Sequence, residues 1–249
     1  MKWFILLAVA IQAHSASVCE PRKFGGAYGF QLSGDTTISG SPKPVATMGR
    51  LEFDSEGKVS GVSSVNFTGF FLGNPVTGTY EAHTDCSLTW SLQDDSGAFQ
   101  HFAGTMTPDF LRIRFTQTDP GGPPSGLMVK AANDCSLEGL QKAYAYSISG
   151  STTAMLPGDT AHKVSSSGVI EIGDGGNIKL KADGRQAATD GTVQVDSDCI
   201  TQVQLSLPVG DSDTTSAANF RGVLADGGKE ILAIQTDPGT TVTAKFTAR

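Results

Sequence analysis

A five-residue stretch that occurs twice constrains the architecture of this chain more than any other feature. Residues 117–121 read Gln-Thr-Asp-Pro-Gly, and the same five letters return at residues 235–239, a shift of 118 positions. The ends of residues 78–86, Gly-Thr at 78–79 and Asp-Cys at 85–86, recur at residues 191–192 and 198–199, a shift of 113. Self-similarity at a nearly constant shift is the signature of a duplicated structural unit. We therefore predict two copies of one small domain.

Short runs of alternating apolar and polar residues fill both copies. In one of them Leu51 and Phe53 fall on one face and Glu52 on the other, as a half-buried strand requires. The chain contains 30 glycines and only 17% charged residues, which is typical of strand-and-turn proteins. Seven or eight strands per copy predict an all-β fold of two tandem small antiparallel β-barrels, because closure leaves no exposed strand edge. Two β-sandwiches are the alternative. In either case we expect the copies to pack as an intramolecular pseudo-dimer.

The N-terminus has the pattern of a secretory signal peptide. Lys2 supplies a positive charge, residues 4–11 are apolar, and small residues follow. We predict a signal peptide at residues 1–17, a first barrel at 18–132 and a second at 133–249. The apolar run is too short to cross a bilayer, so we expect a secreted, extracellular protein without a membrane span. A formal net charge of −7 argues against nucleic acid as a partner.

Four cysteines occupy equivalent positions in the two copies. An even number in a secreted chain indicates disulfides, and the repeat favours Cys19–Cys86 and Cys135–Cys199. The loops so closed contain 67 and 64 residues, and each cross-link would stabilise the fold by about 4 kcal/mol in the chain-entropy model. Crossed pairing between the copies is the alternative.

The glycine and turn motifs of the first copy form a recognisable set. They are Gly-x-Tyr-x-Phe at residues 26–30, the glycine-bounded residues 49–57, Gly-Thr-Tyr at 78–80, Asp-Cys at 85–86 and Thr-Asp-Pro-Gly at 118–121. Together they resemble a family of small, uncharacterised secreted β-domains of bacteria and filamentous fungi, here in tandem. The second copy departs from the set, since Val193 stands where the first has Tyr80.

In size and strand number the unit is also similar to the allene-oxide-cyclase and dirigent barrels, which belong with the lipocalin-like barrels. That likeness is one of fold alone. It implies a hydrophobic cup that binds, and in some members folds up, small lipophilic molecules.

No catalytic signature is recognisable in the sequence, which lacks a nucleophile elbow, a zinc-protease motif and a phosphate-binding loop. We predict no metal and no cofactor, and we assign no catalytic residue. Any enzymatic activity would be that of a cofactor-independent cyclase or isomerase. Glu52 and Glu171 occupy equivalent positions, but each alternates with apolar residues, so we expect both to face solvent.

Two arginines differ from their counterparts in the second copy. Arg112 and Arg114 correspond to Glu230 and Leu232. A ligand site in one barrel or an ion pair between the barrels would explain the difference, and we favour the ion pair because charged faces usually meet water or a partner.

Five aromatic residues are predicted to line the interior of the first barrel, either as solid core or as the wall of a ligand cup: Tyr28, Phe30, Tyr80, Trp90 and Phe115. The leading hypothesis is a protein that binds a lipophilic small molecule and serves as a cyclase or dirigent-type template in secondary metabolism, holding a reactive molecule in one shape. The alternative is a noncatalytic extracellular structural or surface-interaction protein. Asn66 begins an Asn-Phe-Thr sequon, which predicts a glycan in a eukaryotic host.

Overall fold

The chain folds into two closed, eight-stranded antiparallel β-barrels in tandem, as a computed structural model shows. The structure describes residues 18–38, 41–121, 123–153, 160–185, 187–208 and 214–249. The predicted all-β fold of two tandem barrels is confirmed. The predicted signal peptide lies outside the described residues. In the part of the chain that the structure describes, no helix has the length and apolar character needed to cross a membrane.

Eight strands form each barrel. The first barrel contains β1 Gly26–Ile38, β2 Ser41–Phe53, β3 Lys58–Phe67, β4 Phe70–Ala82, β5 Ser87–Asp94, β6 Phe99–Met106, β7 Arg112–Gln117 and β8 Ser125–Lys130. The second contains β9 Ala143–Thr152, β10 Lys163–Ile172, β11 Asn177–Ala182, β12 Thr189–Val195, β13 Ile200–Pro208, β14 Thr215–Ala225, β15 Glu230–Gln235 and β16 Thr240–Ala248. Short 3-10 turns lie at Pro21–Lys23, Asp174–Gly176 and Asp226–Gly228.

Each barrel is a meander closed by its first and last strands. Tyr28 of β1 pairs with Lys130 of β8, and Tyr144 of β9 pairs with Ala248 of β16. Because every strand then has two neighbours, neither barrel presents a free sheet edge along its full height. Alternate side chains point into the barrel, and their packing produces one apolar core in each.

The first hairpin is longer than its sequence suggests. Residues 34–44 are rich in Ser, Thr, Gly and Pro, which predicts a loop, yet Asp35 pairs with Pro44 and Thr37 pairs with Pro42. Proline is tolerated in a strand where one side has no partner. Pro42 satisfies that condition, because the pairing of β2 with β3 begins only at Val45. The Pro44 carbonyl accepts a hydrogen bond from the N–H of Thr68, and its missing N–H removes no bond on that side.

Both favoured disulfides are present. Cys19 is bonded to Cys86 and Cys135 to Cys199. Each ties the segment before a barrel's first strand to the turn between its fourth and fifth strands. The crossed alternative is therefore excluded, and each copy carries its own cross-link.

The repeated Gln-Thr-Asp-Pro-Gly stretch clamps two strands together in each barrel. In the first, the Asp119 carboxylate accepts a hydrogen bond from the backbone N–H of His101 at 2.8 Å and another from the Gln117 amide at 2.9 Å. In the second, Asp237 accepts hydrogen bonds from the backbone N–H and the side-chain amide of Asn219. The motif recurs because the strand-to-strand connection needs a carboxylate at this point.

The tyrosine of the Gly-x-Tyr-x-Phe motif closes one end of the barrel. The Tyr28 hydroxyl donates to the carbonyl of Phe110 at 2.8 Å, and Tyr144 donates to the equivalent carbonyl of Gly228. Burial raises the pKa of Tyr28 well above its ordinary value, so the hydroxyl keeps its proton. In the first barrel the Phe24 ring packs 5.4 Å from the Tyr28 ring and completes an aromatic plug.

The two barrels pack directly against each other through different faces. Strands β1–β3 and β8 of the first barrel meet β14–β16 of the second. The apolar part of this interface is a third buried cluster: Ala46, Met48, Val129, Ile200, Val223, Ala225, Leu232 and Ile234. By the repeat, β14–β16 correspond to β6–β8, so the contact is not that of a twofold-symmetric pseudo-dimer.

Close approach at the interface depends on Gly29. A Cβ placed on this residue would lie 2.6 Å from a methyl carbon of Val223, far inside van der Waals contact. Because Gly29 has no side chain, Val223 packs directly against the backbone of β1. The equivalent residue in the second barrel is Ala145, which is exposed.

The predicted glycosylation site lies inside this interface. Asn66 is fully buried, and its Nδ2 atom donates to the carbonyl of Gln235 at 2.9 Å. A glycan attached to Nδ2 would remove that hydrogen bond and would have to occupy space that the second barrel fills. This burial disfavours the glycan, which stays a prediction.

Candidate functional site

The five predicted aromatic residues lie in the packed core of the first barrel. Tyr28, Phe30, Trp90 and Phe115 are buried, and Tyr80 is half-buried against them. The Phe115 ring lies 5.1 Å from Trp90 and 6.4 Å from Phe30, centroid to centroid. These rings fill the closed end and the middle of the barrel, and none of them borders the cavity at its other end. Their part in ligand binding stays a prediction.

The opposite end of the first barrel is open and contains a cavity of about 290 Å³, which we call the cup. Its apolar wall consists of Leu32, Val45, Val65, Phe67, Leu72, Val76 and Leu92. Its polar groups come from Thr36, Thr47, Ser63, Asn74, Asp94, Gln100 and Gln117. A mostly apolar concavity with a few polar groups is the usual form of a small-molecule site. No residue pattern in the sequence indicated a void at this end.

One charged side chain and two free amides distinguish the polar side of the cup. The Asp94 carboxylate accepts hydrogen bonds from the hydroxyl and the N–H of Ser96, which hold the pKa of Asp94 below its ordinary value although burial raises it slightly. Asp94 is therefore ionised at neutral pH. The side-chain amides of Asn74 and Gln100 have no hydrogen-bond partner among the described residues, so they are available to a ligand.

The height of one hairpin explains why the cup exists. Strands β3 and β4 have 10 and 13 residues, whereas their counterparts β11 and β12 have only 6 and 7. The extra length carries Val65, Phe67, Leu72 and Asn74, which form one wall. The described residues of the second barrel form no such wall.

Substitutions inside the second barrel also remove polar groups from the corresponding end. Leu207 stands where the first barrel has Asp94, and Ala218 where it has Gln100. Ala218 is buried in the apolar core, against which Leu207 packs. The second barrel has a separate, more polar depression, bordered by Ser165, Ser167 and Asp183.

The charged residues singled out in the sequence lie outside the cup. Glu52 and Glu171 are exposed, as expected for residues on the outer face of a strand. Arg112 donates to Glu230 at 2.6 Å and to Asp226 at 3.2 Å, which confirms the favoured ion pair between the barrels for Arg112. Arg114 is exposed and forms no ion pair with the other described residues. Among the described residues, no group of three His, Cys, Asp or Glu side chains is arranged to hold a metal ion.

No family model matches the chain, and neither does any curated protein. Among solved structures it is similar to transferrin binding protein B from Haemophilus parasuis (TM-score 0.34, 9% identity, 91% of this chain and 76% of that one). The protein of the same name from Neisseria meningitidis matches with a TM-score of 0.32 and 6% identity, over 91% of this chain and 75% of that one. A porin-like protein from Bacteroides uniformis matches with a TM-score of 0.21 and 10% identity, over 90% of this chain and 98% of that one. Likenesses this remote do not bear on function, and the similarity to dirigent-type barrels stays a prediction.

Proposed function

We propose that the first barrel binds a small lipophilic molecule in the cup. The observation that carries the proposal is the cup itself, about 290 Å³ of space in an otherwise packed barrel. Its size lies at the lower end of the range for small-molecule sites. The ligand would place its apolar part against Leu32, Val76 and Leu92 and its polar end near Asn74 and Asp94.

The charge of the cup narrows the class of ligand. Asp94 is ionised and is the only charged residue among the described lining residues. A carboxylate in a partly apolar site disfavours anions and favours hydrogen-bond donors or cations. We therefore expect a neutral or cationic amphipathic molecule. A cyclase or dirigent-type template would use the same cup, with the lining imposing one shape on a reactive ligand.

Blocking the cup tests the proposal. The change Asn74→Trp places an indole at the rim, away from the packed core, and should abolish binding of the fluorescent amphiphile 1-aminoanthracene. The matched control is Thr77→Trp, an exposed, outward-facing position on the same strand. Equal binding by both variants, with unchanged thermal unfolding, would show that the probe does not enter the cup and would refute the proposal.

Native mass spectrometry of protein purified from its own culture medium would identify the natural ligand. We expect a co-purifying small molecule that the Asn74→Trp variant no longer carries. A mass explained by polypeptide and two disulfides alone, in a protein that also fails to bind 1-aminoanthracene, would leave the cup without a function.

A noncatalytic surface-interaction role is the second candidate, and exposed apolar residues at the tip of the β3–β4 hairpin favour it. Phe70 is 61% exposed and Leu72 is 55% exposed. The variant Phe70→Ser, at an exposed residue that does not line the cup, separates the two roles. If the hairpin tip contributes to ligand binding in the cup, the variant should weaken 1-aminoanthracene binding. If the tip binds a macromolecular partner instead, the affinity for 1-aminoanthracene should not change.

A further inference from the structure

The outer face of the second barrel forms a groove that is separate from the cup. Its volume is about 570 Å³. Strands β12, β13 and β14 supply its floor, and Phe71 of the first barrel borders one side. The principal polar residues are Gln194, Gln202, Gln204, Asn219 and Arg221. We call this surface the amide groove.

Strand pairing arranges these side chains in two rows. Gln204 pairs with Asn219 in one row, and Gln202 pairs with Arg221 in the other. Neighbouring strands lie ~4.8 Å apart, close to the length of one pyranose unit. An oligosaccharide that crosses the strands would therefore meet a fresh pair of polar side chains at each sugar.

Two of the four amide side chains in the groove are unused by the described part of the protein, whereas Asn219 donates to Asp237 at 2.6 Å. Gln204 donates to the Asn219 oxygen at 3.1 Å, which orients both side chains. Gln194 and Gln202 have no hydrogen-bond partner among the described residues. An amide offers a donor and an acceptor side by side, which matches the adjacent hydroxyls of a sugar. Phe71, 37% exposed, offers an aromatic surface for the apolar face of a sugar ring.

Arg221 gives the groove a positive charge without a counter-ion. Its Nε atom is buried and lacks a hydrogen-bond partner, and the described residues form no ion pair with it. No acidic residue is among the described residues that border the groove. A guanidinium group that is partly shielded from water can donate two parallel hydrogen bonds to a carboxylate.

The same face of the first barrel has different chemistry, although the repeat places it in the equivalent position. There Glu81 stands for Gln194, Ala103 for Arg221 and Ser91 for Gln204. The second barrel has thus lost a negative charge, gained a positive one and gained amides at a single surface.

We propose that the amide groove binds an acidic oligosaccharide, a chain of sugars in which at least one carries a carboxylate. Arg221 pairs with the carboxylate, the amides of Gln194 and Gln202 bond to hydroxyl groups, and the ring of Phe71 covers the apolar face of one sugar. The site is independent of the cup.

Calorimetric titration at neutral pH with trigalacturonic acid tests the proposal, with maltotriose as the neutral comparison and sodium acetate as the free carboxylate. We expect trigalacturonic acid to bind more tightly than either. Replacing Arg221 by Ala should weaken binding about tenfold or more, the effect of losing one charge-assisted hydrogen bond. Phe71→Ser should weaken binding of the acidic sugar while leaving the fold intact.

Matched controls exist on the first barrel. Arg114→Ala removes an exposed arginine elsewhere on the surface, and Phe99→Ser removes an aromatic side chain that is 58% exposed. Neither should change the affinity. Equal weakening by Arg114→Ala and Arg221→Ala would reveal unspecific charge attraction and overturn the proposal. So would the absence of any trigalacturonate binding, or acetate binding as tight as that of the saccharide. Asn74→Trp should leave this binding unchanged.

Discussion

The two barrels share one framework but leave space in different places. The first has a tall β3–β4 hairpin and an open cup, and its outer face carries Thr, Ser and Glu side chains. The second has a short β11–β12 hairpin and a filled interior, and its outer face carries amides and Arg221. Features common to both, the disulfide, the Asp clamp and the buried tyrosine, hold the fold. Features that differ are the ones to examine for function.

The largest expected effect concerns a shared feature. Replacing both cysteines of either disulfide by Ala should lower the free energy of unfolding by about 4 kcal/mol, because the two loops have nearly equal lengths of 67 and 64 residues. Denaturant unfolding of the two double variants would measure this. A loss confined to one copy would show that the barrels do not depend equally on their cross-links.

Removing the buried carboxylate between the barrels should have the next largest effect. Glu230→Ala removes the carboxylate that lies 2.6 Å from Arg112 and 3.1 Å from Lys245, and it leaves Arg112 with Asp226 alone. Since both cations keep contact with water, we expect a loss of about 2 kcal/mol rather than the full value for a buried pair. Thermal unfolding would measure it, with the exposed Glu171→Ala as a control that should change little.

Lowering the pH should cause the same loss of unfolding free energy, because it protonates Glu230. Burial raises the pKa of Glu230, but hydrogen bonds from Arg112 and Lys245 outweigh it and hold the pKa below the ordinary 4.5. A lowered pKa in the folded state means that the stabilisation is complete above pH 4.5 and is lost as the pH falls through the folded-state value. The difference in unfolding free energy between the wild type and Glu230→Gln should therefore shrink below pH 4.5. A constant difference would contradict the assignment.

Adding a side chain at Gly29 should destabilise the protein much more than the same addition at Ala145, the corresponding position of the second barrel. Gly29→Val drives side-chain atoms into Val223 and should cost about 2 kcal/mol through overpacking. Ala145→Val, at the equivalent exposed position of the second barrel, should be close to neutral. Denaturant unfolding of the two variants would show whether the interface alone makes them different.

The smallest effect is expected at the repeated clamp. Asp119→Ala and Asp237→Ala each remove hydrogen bonds to a strand N–H and a glutamine amide, and each should cost about 1 kcal/mol. Hydrogen exchange at the amides of His101 and Asn219 would detect the loss locally. Protection unchanged in both copies would mean that the motif is kept for another reason.

The sequence predicts the framework well because repetition and alternation report directly on it. Equivalent positions led to both disulfides, and the mismatch of Arg112 with Glu230 led to the ion pair between the barrels. The long first hairpin was missed, because Pro42 and Pro44 indicate a loop unless the missing neighbour strand is known. The burial of Asn66 could not be predicted for a similar reason, since it depends on the docked second barrel.

The candidate sites could not be predicted from the pattern alone. A cup and a solid core require the same apolar residues. Only the extra length of the β3–β4 hairpin distinguishes the two cases. The amide groove consists of outward-facing Gln and Asn residues that resemble any polar strand surface. Their meaning depends on Phe71, which is contributed by the other barrel.

The use of unlike faces in the contact between the barrels also limits assembly. A head-to-tail contact between repeated units has no built-in end, and further copies could extend it into a filament. Here both outer ends are blocked: Arg114 and Thr105 replace the apolar Leu232 and Val223 on one, and Ser165 and Ser167 replace Ala46 and Met48 on the other. These polar side chains disfavour the addition of further units through the same apolar contact.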